Sequence, residues 1–120
     1  MATILIIDDE EIIRVLLRSA LEEAGYEVAE AANGLQGLEL YRQRSADLVI
    51  TDIVMPEMNG LDILLALTRE FLNAKVIAIS GAGGEKNVLD VAKLLGARQT
   101  FQKPFSMPDL LGAVRYELEH

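Results

Sequence analysis

Strict alternation of short apolar runs with helix-spaced segments limits this 120-residue chain to very few folds. Residues 3–7, 27–31, 47–51, 75–80 and 98–101 read as strands, with 27–31 the weakest of the five. After the first run, Ile12, Ile13, Leu16, Leu17, Ala20, Leu21 and Ala24 recur at three- and four-residue spacing. Arg14, Arg18, Glu22 and Glu23 fall between them, and Gly25 stands where a helix stops. Asn33-Gly34 turns the chain into a second helix with Leu35, Leu38 and Tyr41 inward. Pro56 and Gly60 break the next segment, and a third helix is expected over 61–72 with Ile63, Leu64 and Leu67 buried. Gly81-Ala82-Gly83-Gly84 predicts a mobile loop before a fourth helix striped by Val88, Val91, Ala92 and Leu95. Ser106 opens a fifth helix as N-cap, with Asp109 as capping-box partner and Leu110, Leu111 and Val114 inward.

Strands that alternate with helices run parallel, because each right-handed crossover returns the chain to the same end of the sheet. The expected fold is therefore α/β: a doubly wound, five-stranded parallel sheet with helices on both faces. A chain of this length makes about one domain, and no linker, repeat or low-complexity segment divides it. The final Leu118-Glu119-His120 matches the start of a common cloning scar, by chance or by origin. The domain is accordingly set at residues 1–117.

Composition narrows the function classes. With 11 basic against 19 acidic residues the net charge is −8, which argues against direct nucleic-acid binding, since phosphate contacts need clustered Lys and Arg. No apolar run reaches the ~18 residues that a membrane span requires, and the first run stops at Asp8, too early for a signal peptide. There is no cysteine, so neither disulfides nor thiolate metal sites arise. A cytoplasmic protein without membrane insertion is the expectation.

The polar residues at the exits of the apolar runs carry the chemistry. Asp8 and Asp9 follow the first run, Asp52 the third, Ser80 closes the fourth, and Lys103-Pro104 follows the fifth. In a parallel doubly wound sheet all of these meet at the carboxyl edge, where such folds bind ligands. Like charges 4 Å apart cost about 4 kcal/mol per pair at an effective dielectric near 20. Three ionised carboxylates therefore need cations: Lys103 supplies one charge, and Mg²⁺, which favours carboxylate oxygens and water, supplies the rest. The expected ligands are Asp9 and Asp52, Asp8 directly or through water, and the backbone carbonyl of Val54. A carboxylate so placed can attack phosphorus and form an acyl phosphate. There is no Walker A loop, which argues against nucleotide hydrolysis.

Together, Asp8-Asp9, the stretch Asp52-Ile53-Val54-Met55-Pro56-Glu57-Met58-Asn59-Gly60, Ser80 and Lys103-Pro104 resemble the receiver domain of two-component response regulators, particularly the chemotaxis type. The resemblance runs from about Thr3 to Tyr116. It implies a flavodoxin-like (βα)5 sheet in the order 2-1-3-4-5. It implies Asp52 as phosphoacceptor, Asp8 and Asp9 as the metal-binding pair, Ser80 as switch hydroxyl and Lys103 as phosphoryl contact. Phe101 matches the aromatic switch position, and the Lys103-Pro104 bond is expected cis.

The implied function is phosphorelay signalling: a sensor histidine kinase or histidine phosphotransfer protein charges Asp52 in a Mg²⁺-dependent step. The conformational response then controls an output protein or domain through the face of helix four, strand five and helix five. Such a chain catalyses only its own phosphorylation and dephosphorylation, and is not otherwise an enzyme. Two departures stand out: Gly81 replaces the usual Ala after Ser80, and Val54 is apolar where some relatives orient the attacking water. Two alternatives remain. A metal-dependent aspartyl phosphatase wants a second acid two residues after its nucleophile, where Val54 stands. A receiver-like binding module without phosphorylation would be expected to lack one of the acidic pair, Asp52 or Lys103.

Overall fold

The computed structural model describes residues 1–55, 60–81 and 88–120. The break expected at Pro56 and the loop expected beyond Gly81 lie outside the described residues. Five strands, β1 (Thr3–Ile7), β2 (Glu27–Ala31), β3 (Leu48–Asp52), β4 (Val76–Ser80) and β5 (Gln99–Gln102), alternate with five helices. These are α1 (Glu11–Glu23), α2 (Gly34–Gln43), α3 (Gly60–Glu70), α4 (Val88–Leu94) and α5 (Met107–Glu119). All neighbouring strands pair in parallel, in the order β2-β1-β3-β4-β5. β3 and β5 sit one residue later than their sequence patterns predict, so β3 includes Asp52 itself. The last helix continues through Leu118 and Glu119.

Alternating side chains of the strands divide the core into two layers, as a sheet buried on both faces demands. Ile4, Ile6, Leu48, Ile50, Ile77 and Ile79 face one side and pack with Leu17, Leu21, Leu110 and Val114 of α1 and α5. Leu5, Ile7, Val49, Val76 and Ala78 face the other and pack with residues of α2, α3 and α4, among them Leu38, Ile63 and Leu64. β1, β3 and β4 are buried along nearly their full length.

Several helical stripes are narrower than their sequences predict. In α1 only Leu17 and Leu21 are fully buried, with Ile13 packed beside them, while Ile12, Val15 and Leu16 are exposed. A helix of 3.6 residues per turn lays one seam on a sheet, and Ile12 and Leu16 lie about 100° off it. Leu35 is likewise exposed, because α2 presents Gly34, Gly37, Leu38 and Tyr41 inward instead. Val91 of α4 is also on the outer side, where Ala92 takes the buried position.

The helix ends follow local chemistry. Gly25 adopts φ +98° beyond α1, and its N–H donates to the Glu22 carbonyl while Tyr26 N–H reaches Leu21. Gly96, at φ +114°, repeats this Schellman pairing after α4. At the other ends, the Asn33 side chain accepts from Gln36 N–H and the Ser106 hydroxyl from Asp109 N–H. No helix among the described residues is long and apolar enough to cross a membrane.

Candidate functional site

Sheet order reverses between β1 and β3, and the crevice at a reversal opens at the carboxyl ends of the strands. Asp8 leaves β1 there, with its N–H still bonded to the Ala31 carbonyl of β2. Asp52 ends β3, Ser80 ends β4, and Lys103 follows β5 by one residue. The final rung between β4 and β5 runs from Lys103 N–H to the Ser80 carbonyl at 2.7 Å. The Lys103–Pro104 peptide bond is cis.

Lys103 draws three of these groups together. Its Nζ lies 3.0 Å from Asp8 Oδ2, 3.2 Å from Asp52 Oδ2 and 3.2 Å from Glu10 Oε1. Asp8 and Asp52 form the floor, with side chains 1% and 4% exposed, and Glu10, 55% exposed, stands at the rim. The remaining oxygens of the floor are held by the backbone. Asp8 Oδ1 accepts from Glu10 N–H at 2.8 Å, and Asp52 Oδ1 accepts from Val54 N–H at 3.3 Å. Arg14 Nη1 donates to the Asp8 carbonyl at 2.8 Å and anchors the turn into α1.

Close approach of α3 fixes the other side. Gly60 N–H donates to the Ile53 carbonyl at 2.7 Å, and a Cβ at Gly60 would fall 2.3 Å from the Asp52 carbonyl oxygen. Only glycine fits against the backbone of the phosphoacceptor candidate.

Burial raises the carboxyl pKa of Asp8 above its ordinary value, against the opposing pull of Glu10 N–H and Lys103. Burial also raises that of Asp52, and the neighbouring charge of Asp8 adds to it. For Lys103 burial favours the neutral amine, but Asp8, Asp52 and Glu10 outweigh it and hold the ammonium well above its usual range. The protein therefore gathers negative charge at this edge at an energetic cost, which is a signature of functional sites.

Asp8, Glu10 and Asp52 each offer a carboxylate oxygen, all within 4.8 Å of one another, the arrangement of a divalent-metal site. With Lys103 they sum to −2, and an oxygen-only donor set of that charge suits a hard dication. Asp9 is exposed and is not part of this group. Glu10 has no place in the motif reading. Its one sequence signal is that it follows Asp8 by two residues in an acidic run.

Ser80 is buried, 3% exposed, and among the described residues its hydroxyl makes one long contact, 3.5 Å to the Gly81 carbonyl. It is therefore weakly engaged and available to a new acceptor. Phe101 on β5 is half-buried against the α1–α5 layer and meets Phe105 edge-on, with centroids 6.2 Å apart. Val54 is half exposed beyond Asp52.

The response regulator receiver domain model matches residues 4–115. The chemotaxis protein CheY of Thermotoga maritima is 41% identical over 103 residues, 85% of each chain. Sporulation initiation phosphotransferase F of Bacillus subtilis is 38% identical over 112 residues, covering 93% of this chain and 90% of that one. Among solved structures, the response regulator TrrA of Thermotoga maritima in complex with Mg²⁺ and BeF superposes with a TM-score of 0.88. It shares 32% identity over 98% of this chain and 99% of its own.

Proposed function

Because the chain belongs to the response regulator receiver family and is a receiver of phosphorelay signalling, we propose that Asp52 is its phosphoacceptor. In this reading one Asp52 carboxylate oxygen attacks the phosphorus of a phosphohistidine on a sensor kinase or histidine phosphotransfer protein in the cytoplasm. The P–N bond breaks, its electron pair leaves with the imidazole, and an aspartyl phosphate remains. The observation that carries this is the pairing of Lys103 Nζ with both buried carboxylates, Asp8 at 3.0 Å and Asp52 at 3.2 Å.

Asp8, Asp9, Asp52 and the Val54 carbonyl would hold Mg²⁺; the clustered oxygens of Asp8 and Asp52 support this, and Asp9 would have to reach the ion from outside that cluster. Bound there, the cation would neutralise charge on the transferring oxygens. Lys103 would contact the same oxygens, and Ser80 would turn its hydroxyl toward them. Two such charge-assisted bonds, at about 1.5–3 kcal/mol each, approach the ~5.5 kcal/mol that inverts a 1:99 equilibrium. Ser80 moving inward makes room for Phe101 to turn, and the response reaches an output protein or domain across α4, β5 and α5. The donor docks on α1, where exposed Ile12, Val15 and Leu16 flank the apolar hollow of Ile13, Pro104 and Phe105 beside Lys103. The receiver occupies residues 1–117 and turns over no external substrate; Val54 stands where an aspartyl phosphatase would need its second acid.

Incubation with Mg²⁺ and acetyl phosphate, followed by intact-mass measurement, tests the reading. One added phosphoryl group that is lost in Asp52→Asn is expected. No gain in the intact protein would favour the binding module, and steady turnover of a phosphoester the phosphatase.

A further inference from the structure

Glu10 is the residue of the pocket that neither fold nor motif requires. It is the N-cap of α1, with φ −89° and ψ 113°, yet its side chain makes no cap hydrogen bond. Caps favour Ser, Thr, Asp and Asn, whose short side chains reach back to the first turn. The Glu10 carboxylate instead extends outward to Lys103 Nζ, 3.2 Å away. A rule of local structure is broken, and the gain is a third carboxylate on one ammonium.

An ammonium has three N–H donors. Asp8, Asp52 and Glu10 take all three at rest, at 3.0, 3.2 and 3.2 Å. A phosphoryl group entering the pocket must therefore displace one of them from Lys103. Asp8 and Asp52 are buried and held by backbone N–H groups, whereas Glu10 is exposed and free to swing away. Once displaced from Lys103, its charge faces the rim that the phosphodonor passes.

We propose that Glu10 is a charge gate which slows phosphorylation of the receiver by free dianionic acyl phosphates. The gate rests on the reading of Asp52 as phosphoacceptor, and insulates it from metabolic phosphodonors that bypass a protein partner. In the gated reaction an Asp52 oxygen bonds to phosphorus, the bond between phosphorus and the acyl oxygen breaks, and the carboxylate product leaves with its electron pair. No proton need move, so the rate reports how readily the anion enters and engages Lys103.

The test compares Glu10→Gln and Glu10→Lys with the parent protein, using Mg²⁺ at a concentration saturating for each. Phosphorylation is followed with acetyl phosphate, a dianion, and with phosphoramidate, which carries less net charge. Glu10→Gln should react about tenfold faster with acetyl phosphate, the factor for a unit charge and a dianion roughly 6 Å apart in a water-like dielectric. Glu10→Lys should be faster still. The gain should be smaller with phosphoramidate and should shrink toward ~1 M salt, where the Debye length is about 3 Å. Glu11→Gln, which removes the same charge one residue along the exposed start of α1, should change the rate less than about twofold. Equal rates for Glu10→Gln and parent, or a gain indifferent to salt and donor charge, would overturn the gate and leave the receiver reading standing. Failure of every variant to gain a phosphoryl group would remove the receiver reading and the gate with it.

Discussion

Replacing Gly60 with alanine places a methyl group where the structure has no room for one. Its Cβ would lie 2.3 Å from the Asp52 carbonyl oxygen, 2.5 Å from Ile53 Cα and 3.0 Å from the Asp52 carbonyl carbon. Cβ atoms essentially never approach below 3.0 Å, so β3 and α3 must separate by at least the 0.7 Å between 2.3 and 3.0. All three obstacles are backbone atoms, so no rotamer change relieves the clash. Overpacking of this kind costs about 1–3 kcal/mol. Weakening of the 2.7 Å bond from Gly60 N–H to the Ile53 carbonyl adds about 1 kcal/mol. The better helix propensity of alanine returns up to ~1 kcal/mol. The net loss is about 1–3 kcal/mol, or a urea midpoint lower by ~1 M for a slope of 1–3 kcal/mol/M. A displaced Asp52 should also react more slowly with a phosphodonor, by up to ~10²-fold for a 1 Å misplacement. Gly112→Ala in α5 is the control: its Cβ meets nothing within 4 Å, so it should gain about 0.5–1 kcal/mol. If Gly60→Ala matches Gly112→Ala in both midpoint and phosphorylation rate, the steric reasoning is wrong.

Further expectations concern the carboxylates and the edges of the fold. Asp8 and Asp52 have raised folded pKa values, so the native state keeps their protons longer than the unfolded chain. In chelator, their contribution to stability is therefore greatest below the ordinary value of 3.8 and falls as pH rises through the folded values. Urea midpoints of the parent protein minus those of Asp8→Asn should decline over that range, and a rising difference would reverse the sign argued here. Saturating Mg²⁺ at ~100 times its dissociation constant should add about 2.7 kcal/mol at neutral pH, an increment that calorimetry should find diminished in Asp8→Asn. Val54→Asn should shorten the aspartyl phosphate lifetime by about tenfold, read by phosphate release, by offering the attacking water a hydrogen bond. Glu117 is buried on α5 and accepts from Gln99 Nε2 at 2.9 Å. Glu117→Ala leaves that amide unpaired and should cost about 1–3 kcal/mol in urea melts.

Much of this architecture is legible in the chain because its signals are local. The strand runs reveal themselves by aliphatic content, and Gly25 and Ser106 mark their helix ends through conformational and capping preferences. The carboxyl edge follows from alternation alone, which is why residues as distant as Asp8 and Lys103 could be assigned to one pocket. What escaped depends on contacts across the fold. Ile12 and Leu16 match the helical period of α1 as well as Leu17 does, and only the seat of the helix on β1 and β2 decides which of them is covered. Leu35 fails for the same reason, since Gly34 and Gly37 let α2 approach the sheet on a different face. Glu10 carries no distinct sequence signal, because an acid beside two acids looks like a solvated run; its contact depends on where Lys103 arrives from the far end of the sequence.

The bond from Lys103 N–H to the Ser80 carbonyl makes the two phosphoryl-sensing candidates rungs of one ladder. Their main chains cannot part without breaking the sheet at its carboxyl edge, so they form a fixed frame. Gly81 stands just outside that frame: an added Cβ there would meet nothing within 4 Å. If Ser80 and Lys103 contact the phosphoryl group as proposed, they must do so by side-chain movement, with the β4–β5 ladder unbroken.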